Sequence, residues 1–414
     1  MSTRFSRIRV VLTAMTTVMG GWLTGATGIF ATGAEQAFVP GQVVASVTTL
    51  ADSSQNYALF LPSQYRADRA WPLLLAFHPG ARGVAFTELY KDVANDYGYI
   101  VAASNTSRNG PWAPSLAAAQ AMLQDVGQRF SVDPARLYAT GFSGGARVAT
   151  QIALQSGGFV GVIASGAGFP DAATRRTVRF DVAATVGRDD FNYGELRALD
   201  RALTSPHRVF YFDGPHTLPP ATVARQAVEW LELRAMIRGL RPKDPVVIER
   251  WWTQRLSEAE VGEPAAVAVA LEALAQDFAP VRDVADVTEK VRSLKAQDDV
   301  KRALAQQKKL DDEEARLLVD VATFEAGLRV PDSHDDALFR VRSLLLGLHR
   351  KAQAADDTPE RRMARRVLRV VTGGARERTT DPEYLKVIEQ VRPVRSPTGG
   401  GYLPRAGADL VTMR

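Results

Sequence analysis

Gly141-Phe142-Ser143-Gly144-Gly145 is the stretch on which the reading of this chain turns. It follows a short run, Arg136–Thr140, whose composition predicts a strand, and it opens a run, Gly144–Gln155, that predicts a helix. A G-x-S-x-G sequence at such a junction makes a tight, strained turn, so the residues flanking the serine must be small. The turn exposes the serine hydroxyl and can aim the amide of Gly144 at a developing oxyanion. A glycine-rich turn with a capping serine has the same letters. The position between strand and helix favours a nucleophile.

Outward from this turn, strands and helices alternate. Gln42–Leu50 and Asn56–Leu61 read as opening strands, rich in Val, Thr, Tyr and Leu. Pro72–His78 is a continuous apolar run, as expected of a strand buried on both faces. Further strands are predicted at Tyr99–Ala103, Phe159–Ser165, Phe180–Val186 and Arg208–Phe212. Helices are predicted at Val84–Tyr97, from a capping Ser115 to Phe130, and at Ala221–Arg238. The alternation predicts a mostly parallel sheet covered on both faces, an α/β fold. Chemistry in such sheets collects in loops at the carboxyl ends of the strands.

A serine hydroxyl needs a base. The chain has five histidines, and His216, in Asp213-Gly214-Pro215-His216-Thr217, lies just after the last predicted strand. His78 ends the third strand and His207 precedes the last one, so both are placed worse; His334 and His349 belong to the second half. The orienting carboxylate is expected in Gly187-Arg188-Asp189-Asp190-Phe191, after the strand Phe180–Val186. Asp190, third after the glycine, is favoured over Asp189, and Asp213 is a weaker third choice because it shares a loop with His216. Ser, Asp, His is the chain order of the α/β-hydrolase fold. The second oxyanion donor belongs in the loop His78-Pro79-Gly80-Ala81, where Pro79 has no N–H; Ala81 is favoured, with Gly80 the alternative.

Four segments together resemble a family: Tyr57-Ala58-Leu59-Phe60-Leu61-Pro62, the His78-Pro79-Gly80 loop, the run from Asp133 to Gly145, and Gly214-Pro215-His216. They look like the secreted esterase branch of the α/β-hydrolases, which includes poly(3-hydroxybutyrate) depolymerase-like and feruloyl esterase-like enzymes. The resemblance covers residues 42–240, about half the chain. It implies a serine carboxylester hydrolase with Ser143 as nucleophile, His216 as base, Asp190 as orienter and Gly144 as an oxyanion donor. Pro79 departs from the family pattern, which has glycine after the histidine. Only 14 residues separate Ser165 from Phe180, which leaves little room for a lid and predicts an open site for esters on a large or polymeric chain. Trp112 and Phe191, in flanking loops, are candidate substrate contacts.

Composition divides the chain near Leu240. Residues 1–240 hold 21 Lys/Arg and 17 Asp/Glu, and residues 241–414 hold 30 and 29. Charge density therefore doubles, from roughly 16% to roughly 34%. Residues 245–392 carry Ala, Leu, Glu, Lys and Arg in helical periods broken at Pro264, Pro280, Pro331, Pro359 and Gly373-Gly374, predicting an all-α domain of five to seven helices. Asp381-Pro382-Glu383-Tyr384-Leu385 resembles the closing helix of some tetratricopeptide-like tails. This half shows no chemistry, and its balanced charge gives nucleic-acid binding no support. It is a candidate surface for a protein partner.

At the N-terminus, Arg4, Arg7 and Arg9 precede an uncharged run from Val10 to Ala34. Small residues stand at −3 and −1 of two candidate cleavage sites, ending at Ala26 and Ala34, so residues 1–34 read as a signal peptide. The mature catalytic domain would begin at 35, periplasmic or secreted, and 396–414 form a Gly- and Pro-rich tail. The chain has no cysteine, which excludes disulfides, thiol catalysis and thiolate metal sites. No metal or organic cofactor is implied. A serine peptidase on the same fold is the alternative enzyme, and a non-catalytic hydrolase-like adaptor the alternative from another class.

Overall fold

In the computed structural model, which describes residues 38–171 and 176–392, the first half of the chain lays down eight strands. They are β1 (Val43–Thr48), β2 (Asn56–Phe60), β3 (Trp71–Phe77), β4 (Ile100–Ser104), β5 (Val132–Phe142), β6 (Phe159–Ser165), β7 (Asp181–Gly187) and β8 (His207–Phe212). Between them run α1 (Gly83–Tyr97), α2 (Trp112–Arg129), α3 (Gly144–Ser156) and α4 (Tyr193–Ala202), and α5 (Ala221–Ile237) follows the last strand. The expected leader, residues 1–34, and the tail, 396–414, lie outside the described residues.

The sheet order is β1-β2-β4-β3-β5-β6-β7-β8. β1, β2 and β4 pair antiparallel, and every other pairing is parallel. All seven residues of β3 and of β7 are buried, as are all five of β4, because helices cover both faces. The chain adds β4 to one side of β3 and then crosses back to lay β5 on the other. A reversal of this kind, here between β3 and β5, is the place where parallel sheets bind ligands. Register brings the strand ends level: Phe77 pairs with Gly141, Phe142 with Ser165, and Gly187 with Phe212.

Two helices depart from expectation. α2 starts at Trp112 rather than behind a capping Ser115, whose hydroxyl instead donates to the Arg108 carbonyl at 3.2 Å. α4 was not foreseen; Gly194 interrupts its apolar spacing, and only Tyr193, Leu196 and Leu199 are buried.

Among the described residues the second half is helical, with eight helices rather than the five to seven expected, matching an α/β domain followed by a helical one. It comprises α6 (Pro245–Ala259), α7 (Pro264–Phe278), α8 (Ala285–Ala296), α9 (Asp298–Gly327), α10 (His334–Ala352), α11 (Pro359–Thr372), the four-residue α12 (Ala375–Arg378) and α13 (Pro382–Val391). Proline opens α6, α7, α11 and α13, where its missing N–H costs no hydrogen bond. Asp244, Thr358 and Asp381 cap three of these helices through their side chains. The core runs across the compositional boundary. Leu233 and Met236 of α5 pack in one cluster with Trp251 and Trp252 of α6, Leu271 of α7 and Val291 of α8. A second cluster joins α9, α10, α11 and α13 around Val341, Leu345, Val367 and Tyr384. Among the described residues no helix is long and apolar enough to cross a membrane.

Candidate active site

Ser143 sits at φ +54° and ψ −123°, between the end of β5 and the start of α3. A non-glycine residue at positive φ is strained, and the neighbouring glycines show why the strain holds. A Cβ on Gly141 would lie 2.1 Å from the Gly145 carbonyl oxygen, and one on Gly145 would lie 2.1 Å from that of Phe77. Strand, turn and helix are thus in backbone contact. The Ser143 amide donates to the Ser165 carbonyl at 2.8 Å, tying the turn to the end of β6. The Gly144 and Gly145 amides head α3, where the first turn of a helix has no acceptor of its own. The Asn109 side chain lies directly against Gly144, its Oδ1 1.8 Å from where a Cβ would stand.

Asp190 and His216 are brought together. His216 Nδ1 lies 2.8 Å from Asp190 Oδ1 and 2.9 Å from Oδ2. Asp190 is fully buried, and its Oδ1 also accepts from the Asn192 amide at 2.8 Å. The imidazole is held between Phe142, with ring centroids 4.6 Å apart, and Phe191, at 4.1 Å. Phe191, expected as a substrate contact, is half-buried and packs on the histidine ring. Trp112 opens α2 and is 38% exposed. Asp189 makes no hydrogen bond with the histidine, its Oδ1 being buried without a partner, and Asp213 is at the surface. Ser143 and His216 share Phe142 as neighbour but form no hydrogen bond with each other.

The acid and histidine loops are themselves bonded. Arg188 N–H donates to the Phe212 carbonyl at 2.9 Å and Asp189 N–H to that of Gly214 at 3.0 Å. Gly187 admits this approach, since a Cβ there would stand 2.2 Å from the Gly214 carbonyl oxygen. Gly166, at φ +63°, has the same function beneath the pair: its Cβ would meet Asp190 Oδ2 and His216 Cε1, each at 3.2 Å. Asn192 locks that corner by donating from Nδ2 to the Gly166 carbonyl at 2.7 Å. Sequence reading missed Gly166 and Asn192. A glycine one residue beyond a predicted strand and an Asn opening a helix were their available signals.

Gly80 and Ala81 come out differently from expectation. The Gly80 amide donates to His78 Nδ1 at 2.9 Å, and the Ala81 amide to the His78 carbonyl at 3.1 Å. Both N–H groups proposed for the oxyanion are thus spent within the loop. Pro79 is the physical reason: its fixed φ and missing donor let the turn close back on the histidine. The turn leaves Ala81 at φ +53°, and among the described residues Ala81 and Ser143 are the two non-glycines at positive φ.

His78 accepts at Nδ1, so its proton sits on Nε2 and the ring is neutral. Burial pushes its pKa down to about 4, and the nearby Arg82 charge adds to the shift. A histidine lowered from about 6.5 leaves the unfolded chain binding more protons below that value. The stability conferred by neutral His78 is therefore full above pH 6.5 and lost as pH falls toward 4, by about 3 kcal/mol at most. His78→Gln keeps an acceptor for the Gly80 amide without a titrating group. Urea midpoints at pH 7.5 and 4.5 should fall further on acidification in the native protein than in this variant.

No family model and no curated protein matches the chain. Among solved structures it is similar to a thermostable esterase, at 17% identity over 45% of this chain and 61% of that one, with a TM-score of 0.35. It is likewise similar to a ferulic acid esterase, at 17% identity over 45% and 94% of the two chains, TM-score 0.37. A third is dipeptidyl peptidase 4 of Porphyromonas gingivalis, at 16% identity over 46% and 35%, TM-score 0.36. The chain thus spans about three fifths of the first and about a third of the last. These are distant likenesses, two to esterases and one to a peptidase.

Proposed function

We propose that the protein is a serine hydrolase that cleaves carboxylic esters through an acyl-serine intermediate. The observation that carries this reading is the buried Asp190 carboxylate gripping His216 Nδ1 at 2.8 and 2.9 Å, on loops beside the turn that sets Ser143 at φ +54°. With Nδ1 donating to Asp190, Nε2 of His216 is left as the base. It takes the proton of Ser143 Oγ as that oxygen attacks the ester carbonyl, and returns it to the departing alcohol. The Ser143 to Nε2 contact then closes on substrate binding, as catalytic contacts often do. Water, deprotonated by the same nitrogen, releases the acid. The Gly144 amide stabilises the tetrahedral oxyanion, while the Gly80 and Ala81 amides are engaged with His78.

The short link between β6 and β7 supports an open site for esters on a large or polymeric chain, with Trp112 as a contact for it. The arginine-led apolar run before Ala34 supports export to the periplasm or the medium.

A fluorophosphonate probe tests the reading. The native protein should form one covalent adduct, mapped by mass spectrometry to the peptide bearing Ser143. Absence of an adduct would overturn it and leave a hydrolase-like adaptor. Paired aryl esters and anilides of the same acyl group then separate the enzymes: faster ester cleavage supports the esterase, faster anilide cleavage a peptidase.

A further inference from the structure

The helical half reaches the acid turn. Arg362, Arg366 and Arg369 fall four and three residues apart on α11, so they share one face. That face meets the loops that carry Asp190 and His216. Arg366 Nη1 donates to the Arg188 carbonyl at 2.8 Å, and Arg369 Nη1 to the Asp189 carbonyl at 2.8 Å. Arg362 Nη1 reaches Asp213 Oδ1 in the histidine loop at 2.9 Å. Asp213 is 79% exposed, so that last contact is screened by solvent and contributes little.

Arg366 is another matter. It is 5% exposed, and every part of its guanidinium is committed. Nε donates to Glu314 of α9 at 2.9 Å, Nη1 takes the Arg188 carbonyl, and the flat face lies 4.2 Å over the Tyr193 ring. Tyr193 in turn donates its amide to the Asp190 carbonyl at 3.0 Å. Burying such a pair costs desolvation that its attraction barely repays, so what it supplies is a fixed position. The rigid fork of arginine suits that purpose. Carbonyls 188 and 189 immediately precede the catalytic acid. Held by two guanidinium groups, they cannot drift, and neither can Asp190.

We propose that Arg366 and Arg369 are positioning residues for the Asp190–His216 pair, which makes the helical half part of the catalytic apparatus. They touch neither reacting group and act through the backbone of the acid turn. The proposal rests on the serine-hydrolase reading above. An error of about 1 Å in such a group costs up to about 100-fold in rate.

The test uses the full chain and four proteins, with His216→Gln as a fifth for signal assignment only: native, Arg369→Ala, Arg369→Lys, and Arg366→Met combined with Glu314→Gln, which avoids stranding a buried carboxylate. Each is measured for kcat and KM with an aryl ester at 25 °C, for melting temperature, and for the downfield proton NMR signal of His216 Nδ1, assigned by its absence from His216→Gln. Arg369→Ala and the double variant should lose about 10- to 100-fold in kcat with KM within about twofold, weaken the Nδ1 signal, and Arg369→Lys should recover most of the loss. A lower melting temperature with kcat and the Nδ1 signal unchanged would mean a structural brace only, and would overturn the proposal. If the native protein neither turns over esters nor labels at Ser143, the hydrolase reading fails on its own account. The Nδ1 signal then decides the positioning role: unchanged in the variants, it overturns it.

Discussion

Ser143→Ala is expected to lower ester turnover by about 10⁴-fold or more, and Asp190→Asn by about 10³- to 10⁴-fold, both in folded protein. The serine loss removes the attacking atom. The asparagine effect is subtler and tests the site harder. Asp190 holds both oxygens within 2.9 Å of His216 Nδ1, so Nδ1 carries a hydrogen and Nε2 is free to accept. An amide at this position offers its NH₂ group to Nδ1 and turns the tautomer over. Nε2 then bears the proton and cannot take another from Ser143. The backbone and packing of Asp190 are retained by an isosteric residue, so circular dichroism and urea unfolding should stay close to native. Steady-state kinetics with an activated aryl ester would check both variants. A double variant should be hardly worse than Ser143→Ala, since residues acting as one unit are not additive. Turnover within tenfold of native in Asp190→Asn would remove Asp190 from the mechanism.

Gly141→Ala should cost about 3 kcal/mol or more of stability and reduce labelling of Ser143 with it. Its new methyl would meet backbone only: the Gly145 carbonyl oxygen at 2.1 Å, its carbon at 2.2 Å, and the Ala146 nitrogen at 2.6 Å. No side chain can swing clear, so α3 must move off the end of β5. Gly144→Ala is the control. Its methyl strikes the end of the Asn109 side chain, which can rotate away, so a loss within about 1 kcal/mol is expected. Urea denaturation of the two variants reads the difference. Equal stabilities would mean that the turn is not held by the backbone contacts described.

How much of this was legible beforehand follows the range of the forces involved. β3, β4 and β7 are wholly buried, and β3 reads plainly as a continuous apolar run. The loops carrying Ser143, Asp190 and His216 follow strands, so their order along the chain already suggested a shared edge. α4 escaped because Asn192 spends its side chain on the Gly166 carbonyl rather than capping the helix, and Gly194 breaks the spacing behind it. The His78 turn escaped for a different reason. Whether an amide faces outward or bonds its own loop depends on a histidine side chain, which no propensity reports. Least visible were the contacts of α11. Arg366 bonds a carbonyl 178 residues away, and nothing in its local pattern separates it from Arg365 beside it.

The core that joins α5 to α6, α7 and α8 governs how the chain unfolds. Trp251 and Trp252 are covered by the same cluster that buries Leu233 and Met236. Cutting the chain after α5 would strip these apolar side chains of their cover and leave them facing water. Heat should therefore melt the two halves in a single cooperative transition.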